Sequence, residues 1–158
     1  MITSLSIKNY ALIEKLSIDF SKGFSIITGE TGAGKSIILG ALGLVLGKRA
    51  DLTSLKNKEE KCVIEAQFSI SKYNLRSFFE ANDLDYEDET IIRRAILPSG
   101  KSRAFINDSP VNLQELQELS LFLIDIHSQH QTQELSEEKV QFEIIDAIAA
   151  NQESILEY

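Results

Sequence analysis

An α/β fold is predicted from three observations. Residues 24–28, Phe-Ser-Ile-Ile-Thr, form a nearly apolar run that leads straight into a glycine-rich loop. The loop is followed by Ile37, Ile38, Leu39, Ala41, Leu42, Leu44, Val45 and Leu46, apolar residues dense enough to cover almost every side of a helix. Elsewhere, several stretches alternate polar and apolar residues with the period of two expected of half-buried strands. With 158 residues, 43% of them hydrophobic and 25% charged, the chain can bury one sizeable core, so one globular domain or lobe is expected.

The elements follow in order. Residues 2–7 and 12–20 alternate through Leu5, Ile7, Leu16, Ile18 and Phe20 and predict two half-buried strands. Ser21-Lys22-Gly23 reads as a tight turn, and residues 24–28 as a strand buried on both faces. The helix after the glycine-rich loop should be largely enclosed and should stop at Gly47. Residues 62–70 read as a strand and 75–82 as a short helix. Residues 89–107 form a hairpin about Pro98-Ser99-Gly100-Lys101. Asn107-Asp108-Ser109-Pro110 breaks the chain. Asn112 is a fair N-cap for a helix through Leu119, residues 121–126 predict an apolar strand, and residues 137–158 read as helical. The expected division is therefore a lobe over residues 1–136 and a helix over 137–158.

Composition excludes several classes. No run of 18 apolar residues and no basic-then-apolar leader is present, so neither a membrane span nor a signal peptide is expected and the cytoplasm is the default compartment. Cys62 is the single cysteine, which excludes an internal disulfide framework; it reads as a small buried strand residue. A net charge of −8 argues against a surface wholly devoted to neutralising nucleic-acid phosphates, while leaving room for a local basic patch.

Gly29-Glu30-Thr31-Gly32-Ala33-Gly34-Lys35-Ser36 matches G-x-x-x-x-G-K-[ST] between a predicted strand and a predicted helix. Gly29, Gly32 and Gly34 allow the backbone to approach an anion with no Cβ in the way. The helix beginning near Lys35 adds unsatisfied N–H groups and the positive end of its dipole. Lys35 is expected to reach β- and γ-phosphates, and the Ser36 hydroxyl to ligate a Mg²⁺ ion bridging them. Such a loop binds nucleotide in many enzyme classes and does not name the reaction.

Three segments carry a family resemblance. Ser4 to Ile13, the phosphate loop with Ala41-Leu42-Gly43-Leu44 and Gly47-Lys48-Arg49-Ala50, and Lys101-Ser102-Arg103-Ala104-Phe105-Ile106-Asn107 followed by Leu123-Ile124-Asp125-Ile126-His127-Ser128-Gln129-His130, resemble the amino-terminal half of the bacterial RecN family of DNA-repair ATPases. The resemblance covers nearly the whole chain in motif order. It implies a partial P-loop NTPase head of ABC/SMC type: a mixed sheet, an antiparallel lobe, and a C-terminal helix leading toward a coiled coil. It also implies ATP and Mg²⁺ as cofactors and action in double-strand-break repair and recombination. The implied partners are the carboxy-terminal half of the same head, a second head as homodimer, and DNA. Nucleoid association follows from the same likeness. By the same resemblance Gln129 matches the Q-loop glutamine, which contacts Mg²⁺ and the water near the γ-phosphate; its amide can donate to one oxygen and accept from another. Gln131 and Gln133 lie in the same segment, and a solvated connection is the plainer alternative.

Asp125 has two readings. Leu121-Phe122-Leu123-Ile124-Asp125 could be a Walker B strand, which would make the chain a self-contained P-loop kinase or GTPase with Arg93 and Arg94 as phosphate clamps. Against this, residues 112–120 hold no glycine for an ABC signature, Ile126 stands where a catalytic glutamate would follow, and Asn57-Lys58-Glu59-Glu60 lacks the final aspartate of a guanine-reading motif. Asp125 is therefore expected to end the strand leading to the Q-loop, and this chain alone to bind ATP without hydrolysing it. His127 and His130 have a metal-compatible spacing but only Asp125 nearby as a further ligand, so shaping of the nucleotide loop is preferred to zinc. A third reading is an interaction module with an occupied but inert loop.

Overall fold

The computed structural model describes residues 1–28, 34–124 and 126. The chain divides into two units, Met1–Ile124 and Asp125–Tyr158. The first is built on a six-stranded sheet. Its strands are β1 (Ile2–Tyr10), β2 (Ile13–Asp19), β3 (Cys62–Ser69), β4 (Glu89–Ile96), β5 (Ser102–Ile106) and β6 (Ser109–Val111). They lie in the order β2-β1-β3-β4-β5-β6, each neighbouring pair antiparallel. Three helices accompany them: α1 (Lys35–Val45), α2 (Arg76–Ala81) and α3 (Leu113–Leu123).

The alternation predicted from sequence is what gives the sheet one dry face. Leu5 and Ile7 of β1, Cys62, Ile64, Ala66 and Phe68 of β3, Ile92 and Ile96 of β4, and Ala104 and Ile106 of β5 are buried, while their sequence neighbours are half-buried or exposed. Helix α1 packs on β1, β3 and β4, and α3 on β5. Within α3, Leu116, Leu119 and Leu123 recur at helical spacing and are the residues it buries.

Turns and caps follow their local chemistry. At the β4–β5 hairpin, Pro98 occupies the second position of the turn closed by the Gly100 N–H donating to the Leu97 carbonyl at 2.9 Å, and Gly100 takes φ +85°. Helix α1 ends as expected at Gly47, φ +93°, where Lys48 N–H donates to Gly43 O at 2.9 Å and Gly47 N–H to Leu44 O at 3.3 Å. The Gln117 amide of α3 donates to the Gly47 carbonyl at 2.9 Å, joining the two helices. Asn112 caps α3: its side chain accepts from the N–H groups of Gln114 and Glu115, and Glu115 reaches back to Asn112 N–H at 2.9 Å.

Four expectations are corrected. Residues 24–28 form no strand: no described strand lies beside them to pair their backbone groups, and Phe24 is 91% and Ile26 72% exposed because no described element covers their side chains. Helix α1 is enclosed only in its second half; Ala41, Gly43, Leu44 and Val45 are buried while Leu39 is 48% exposed, since the sheet lies under one end alone. Residues 121–123 belong to α3 and not to a strand, with Leu123 completing the helix's buried stripe; Ile124 is the first extended residue. Asn107-Asp108 turns the chain into a second hairpin, where a break was expected. Asn107 takes φ +53°, and its side-chain oxygen accepts from Ile91 N–H at 2.9 Å.

Candidate functional site

The phosphate-loop motif straddles the described residues. Gly29, Glu30, Thr31, Gly32 and Ala33 lie outside them; Gly34, Lys35 and Ser36 lie within. Gly34 is the N-cap of α1, and Lys35 and Ser36 open its first turn on the exposed side of the molecule. The contrast with α3 is informative. There a side chain caps the first turn, whereas at α1 the cap is a glycine without a capping hydrogen bond and the first turn holds no acidic residue. A Cβ added at Gly34 would meet nothing within 4 Å. An 11-residue helix with no side-chain cap and no acidic residue in its first turn, with Lys35 and a hydroxyl at its start, is compatible in charge with an anionic ligand.

What positions α1 is its far end. Gly40 faces Tyr10, where a Cβ would come to 2.7 Å from the Tyr10 hydroxyl oxygen, so any other residue would require the Tyr10 ring or the helix to shift. Burial pushes the Tyr10 phenol above its ordinary pKa, with the Cys62 thiol adding to the effect. Cys62 itself is fully buried, as expected, and burial pushes it up to about 11, so it is a protonated core side chain and no nucleophile.

Asn9 was not singled out by its chemistry, and it organises the neighbouring loop. It is 4% exposed with φ +55°. Its amide nitrogen donates to the carbonyls of Asn57 and Glu60, each at 2.9 Å, and its oxygen accepts from Asn57 N–H at 2.7 Å. The alternation read from sequence stopped at Ile7, so nothing marked Asn9 as a strand residue; it lies within β1 only in the structure. Lys8 beside it is exposed.

Gln129, the alternatives Gln131 and Gln133, Asp125, His127 and His130 fall outside the described residues, as does the helix expected over 137–158. Among the described residues no group of three or more His, Cys, Asp or Glu could hold a metal ion. The arginines proposed as phosphate clamps are built into the sheet. Arg94 is 1% exposed on the dry face of β4, with its Nη2 donating to Ser102 Oγ at 3.3 Å, and burial lowers its pKa; Arg93 lies over the Phe105 ring at 4.7 Å.

An antiparallel lobe flanking a helix that rises from G-x-x-x-x-G-K-[ST] defines a class, and residues 1–150 match the RecF/RecN/SMC N terminal domain: the chain belongs to that family. Within it, the chain is 43% identical over 152 residues to the DNA repair protein RecN of Vibrio cholerae, covering 96% of this chain and 27% of that one. It is 39% identical over 151 residues to RecN of Bacillus subtilis, covering 94% of this chain and 26% of that one. The chain thus spans about a quarter of the length of these relatives. A solved SMC ATPase structure superposes with a TM-score of 0.65 at 23% identity, covering 93% of this chain and 98% of that one, a likeness of fold. The expected ABC/SMC-type head fold and RecN resemblance therefore hold. Among the described residues no helix is long and apolar enough to cross a membrane.

Proposed function

We propose that this chain is the ATP-binding amino-terminal part of a RecN-type ATPase acting in DNA double-strand-break repair and recombination. The observation that carries the proposal is the phosphate-loop motif, residues 29–36, leading into the uncapped start of α1 in a chain that matches this family over residues 1–150. In this reading the backbone of Gly29, Glu30, Thr31, Gly32, Ala33 and Gly34 cradles the phosphates, Lys35 neutralises their charge and Ser36 ligates Mg²⁺. When bound, Mg²⁺ would be held on the protein side by the Ser36 hydroxyl and would supply neutralising charge to the phosphates. Gln129 is proposed to touch Mg²⁺ and orient water.

Hydrolysis is assigned to the reconstituted head, with residues beyond this chain supplying the signature motif, the Walker B aspartate and the catalytic glutamate, and a second head completing the site. Exposed Phe24 and Ile26 offer apolar surface against which the rest of the head is proposed to pack. A cytoplasmic, nucleoid-associated location belongs to the same proposal, as does the division into residues 1–136 and a coiled-coil-directed helix over 137–158.

Calorimetry with ATP and Mg²⁺ tests the site. The chain should bind and Lys35→Ala should not; unchanged affinity in the variant refutes the phosphate-loop assignment. Robust turnover by this chain alone would refute the assignment of hydrolysis to the reconstituted head.

A further inference from the structure

The strand register brings cations together that the sequence holds far apart. Lys15 stands opposite Lys8, Lys8 opposite Val63, Val63 opposite Ala95, and Ala95 opposite Arg103. This row runs across five strands on the face turned away from the core, since the flanking Ile7, Cys62, Ile64, Ile96 and Ala104 are buried and Lys8, Lys15 and Arg103 are exposed. Strands lie about 4.8 Å apart, so Lys15 to Arg103 spans roughly 19 Å, the axial rise of about five to six phosphates along one DNA strand. The row contains no carboxylate.

Three features mark the row as a surface for a polyanion. Lysines placed directly opposite one another across two strands repel, an arrangement that an external anion relieves. At the same end, Lys8, Lys15, Lys56 and Lys58 line one cleft of about 620 Å³ against only Glu14 and Glu60, and Glu14 is engaged by Lys56 at 3.3 Å. The cleft wall is preordered, because the buried Asn9 side chain holds Asn57 and Glu60 by three hydrogen bonds. In the adjacent row Arg93 covers the Phe105 ring, so this face offers charge to a backbone and no open aromatic platform on which unpaired bases could stack.

We infer that the outer face of the sheet, along Lys15, Lys8 and Arg103 and into the Lys56–Lys58 cleft, docks the phosphate backbone of duplex DNA. The inference rests on the proposed repair function and locates the DNA partner on this chain. Contacts to phosphate carry no base information, so binding is independent of sequence and strongly salt-dependent.

The test is fluorescence anisotropy of a labelled 30-base-pair duplex titrated with the 158-residue chain over a series of KCl concentrations. Combining Lys8→Gln, Lys15→Gln and Arg103→Gln should weaken binding at least about tenfold at low salt and reduce the slope of log K against log salt by about 3. A control with the same charge change, Lys22→Gln, Lys48→Gln and Lys72→Gln, should cost under about threefold. All three row positions are exposed, and thermal melting checks the fold; if the triple variant melts early, Lys15→Gln on the edge strand alone should still lower the slope by about 1.

Equal losses in the two triple variants, an unchanged slope, a preference for single-stranded DNA over duplex, or no duplex binding by the unaltered chain at low salt would each overturn the docking surface. The Lys35→Ala calorimetry is independent of these outcomes, so failure of this surface and failure of the nucleotide-site reading are distinguishable.

Discussion

Residues 62–69 and residues 24–28 are both short and apolar in pattern, yet the first is a central strand with Cys62, Ile64, Ala66 and Phe68 fully buried, and the second leaves Phe24 91% exposed. Intrinsic preference does not separate them. Strand β3 has β1 on one edge and β4 on the other, both from this chain, whereas residues 24–28 have no described strand on either side. A strand's stability belongs to its neighbours as much as to itself. The antiparallel lobe therefore holds its own core, and residues 24–28 have no such support among the described residues.

The helices repeat the contrast. Helix α3 starts on a capping box and buries Leu116, Leu119 and Leu123. Helix α1 buries its second half and leaves its first turn uncapped and open, the end at which a phosphate is proposed to sit.

The sharpest way to break the comparison is truncation in both regions. Phe68→Ala should cost about 3–5 kcal/mol in urea unfolding, the range for removing a buried phenyl ring, while Phe24→Ala should change stability by no more than about 0.5 kcal/mol. Similar losses at the two sites would show that residues 24–28 are packed in solution.

A smaller effect probes the dryness of the sheet. The unfolded Cys62 thiol ionises near 9.0 and the folded one near 11, so the stabilisation is complete below pH 9 and is lost as pH rises from 9 to 11. The expected loss is about 2 kcal/mol, read as the difference in pH dependence between the unaltered chain and Cys62→Ala. Parallel pH profiles would mean that water reaches β3.

The smallest expected effect concerns the capped helix. Asn112→Ala should cost about 1 kcal/mol in the same unfolding assay, and no change would show that α3 is held by packing alone.

Much of the lobe was legible because period-two alternation reports which face of a sheet is dry, and because turn and cap residues act locally. Pro98 and Gly100 at the hairpin, Gly47 ending α1 and Asn112 starting α3 stand where their chemistry placed them. Leu121 and Phe122 were misassigned because a short apolar run looks alike in a strand and a helix; continuation of the Leu116, Leu119, Leu123 stripe decided for the helix. The site was legible as a pattern, and its described part, Gly34, Lys35 and Ser36, begins a helix as the pattern requires.

The alternation of the strands, the turns, the caps and the phosphate-loop motif could be read from the residues alone, since each depends on residues within a few positions of one another. That Asn9 pins residues 57–60, that Arg94 is buried, and that Lys8, Lys15 and Arg103 share one row emerge only once the strands are paired. Those facts depend on strand order and register, which are set by long-range pairing and carry no local signature.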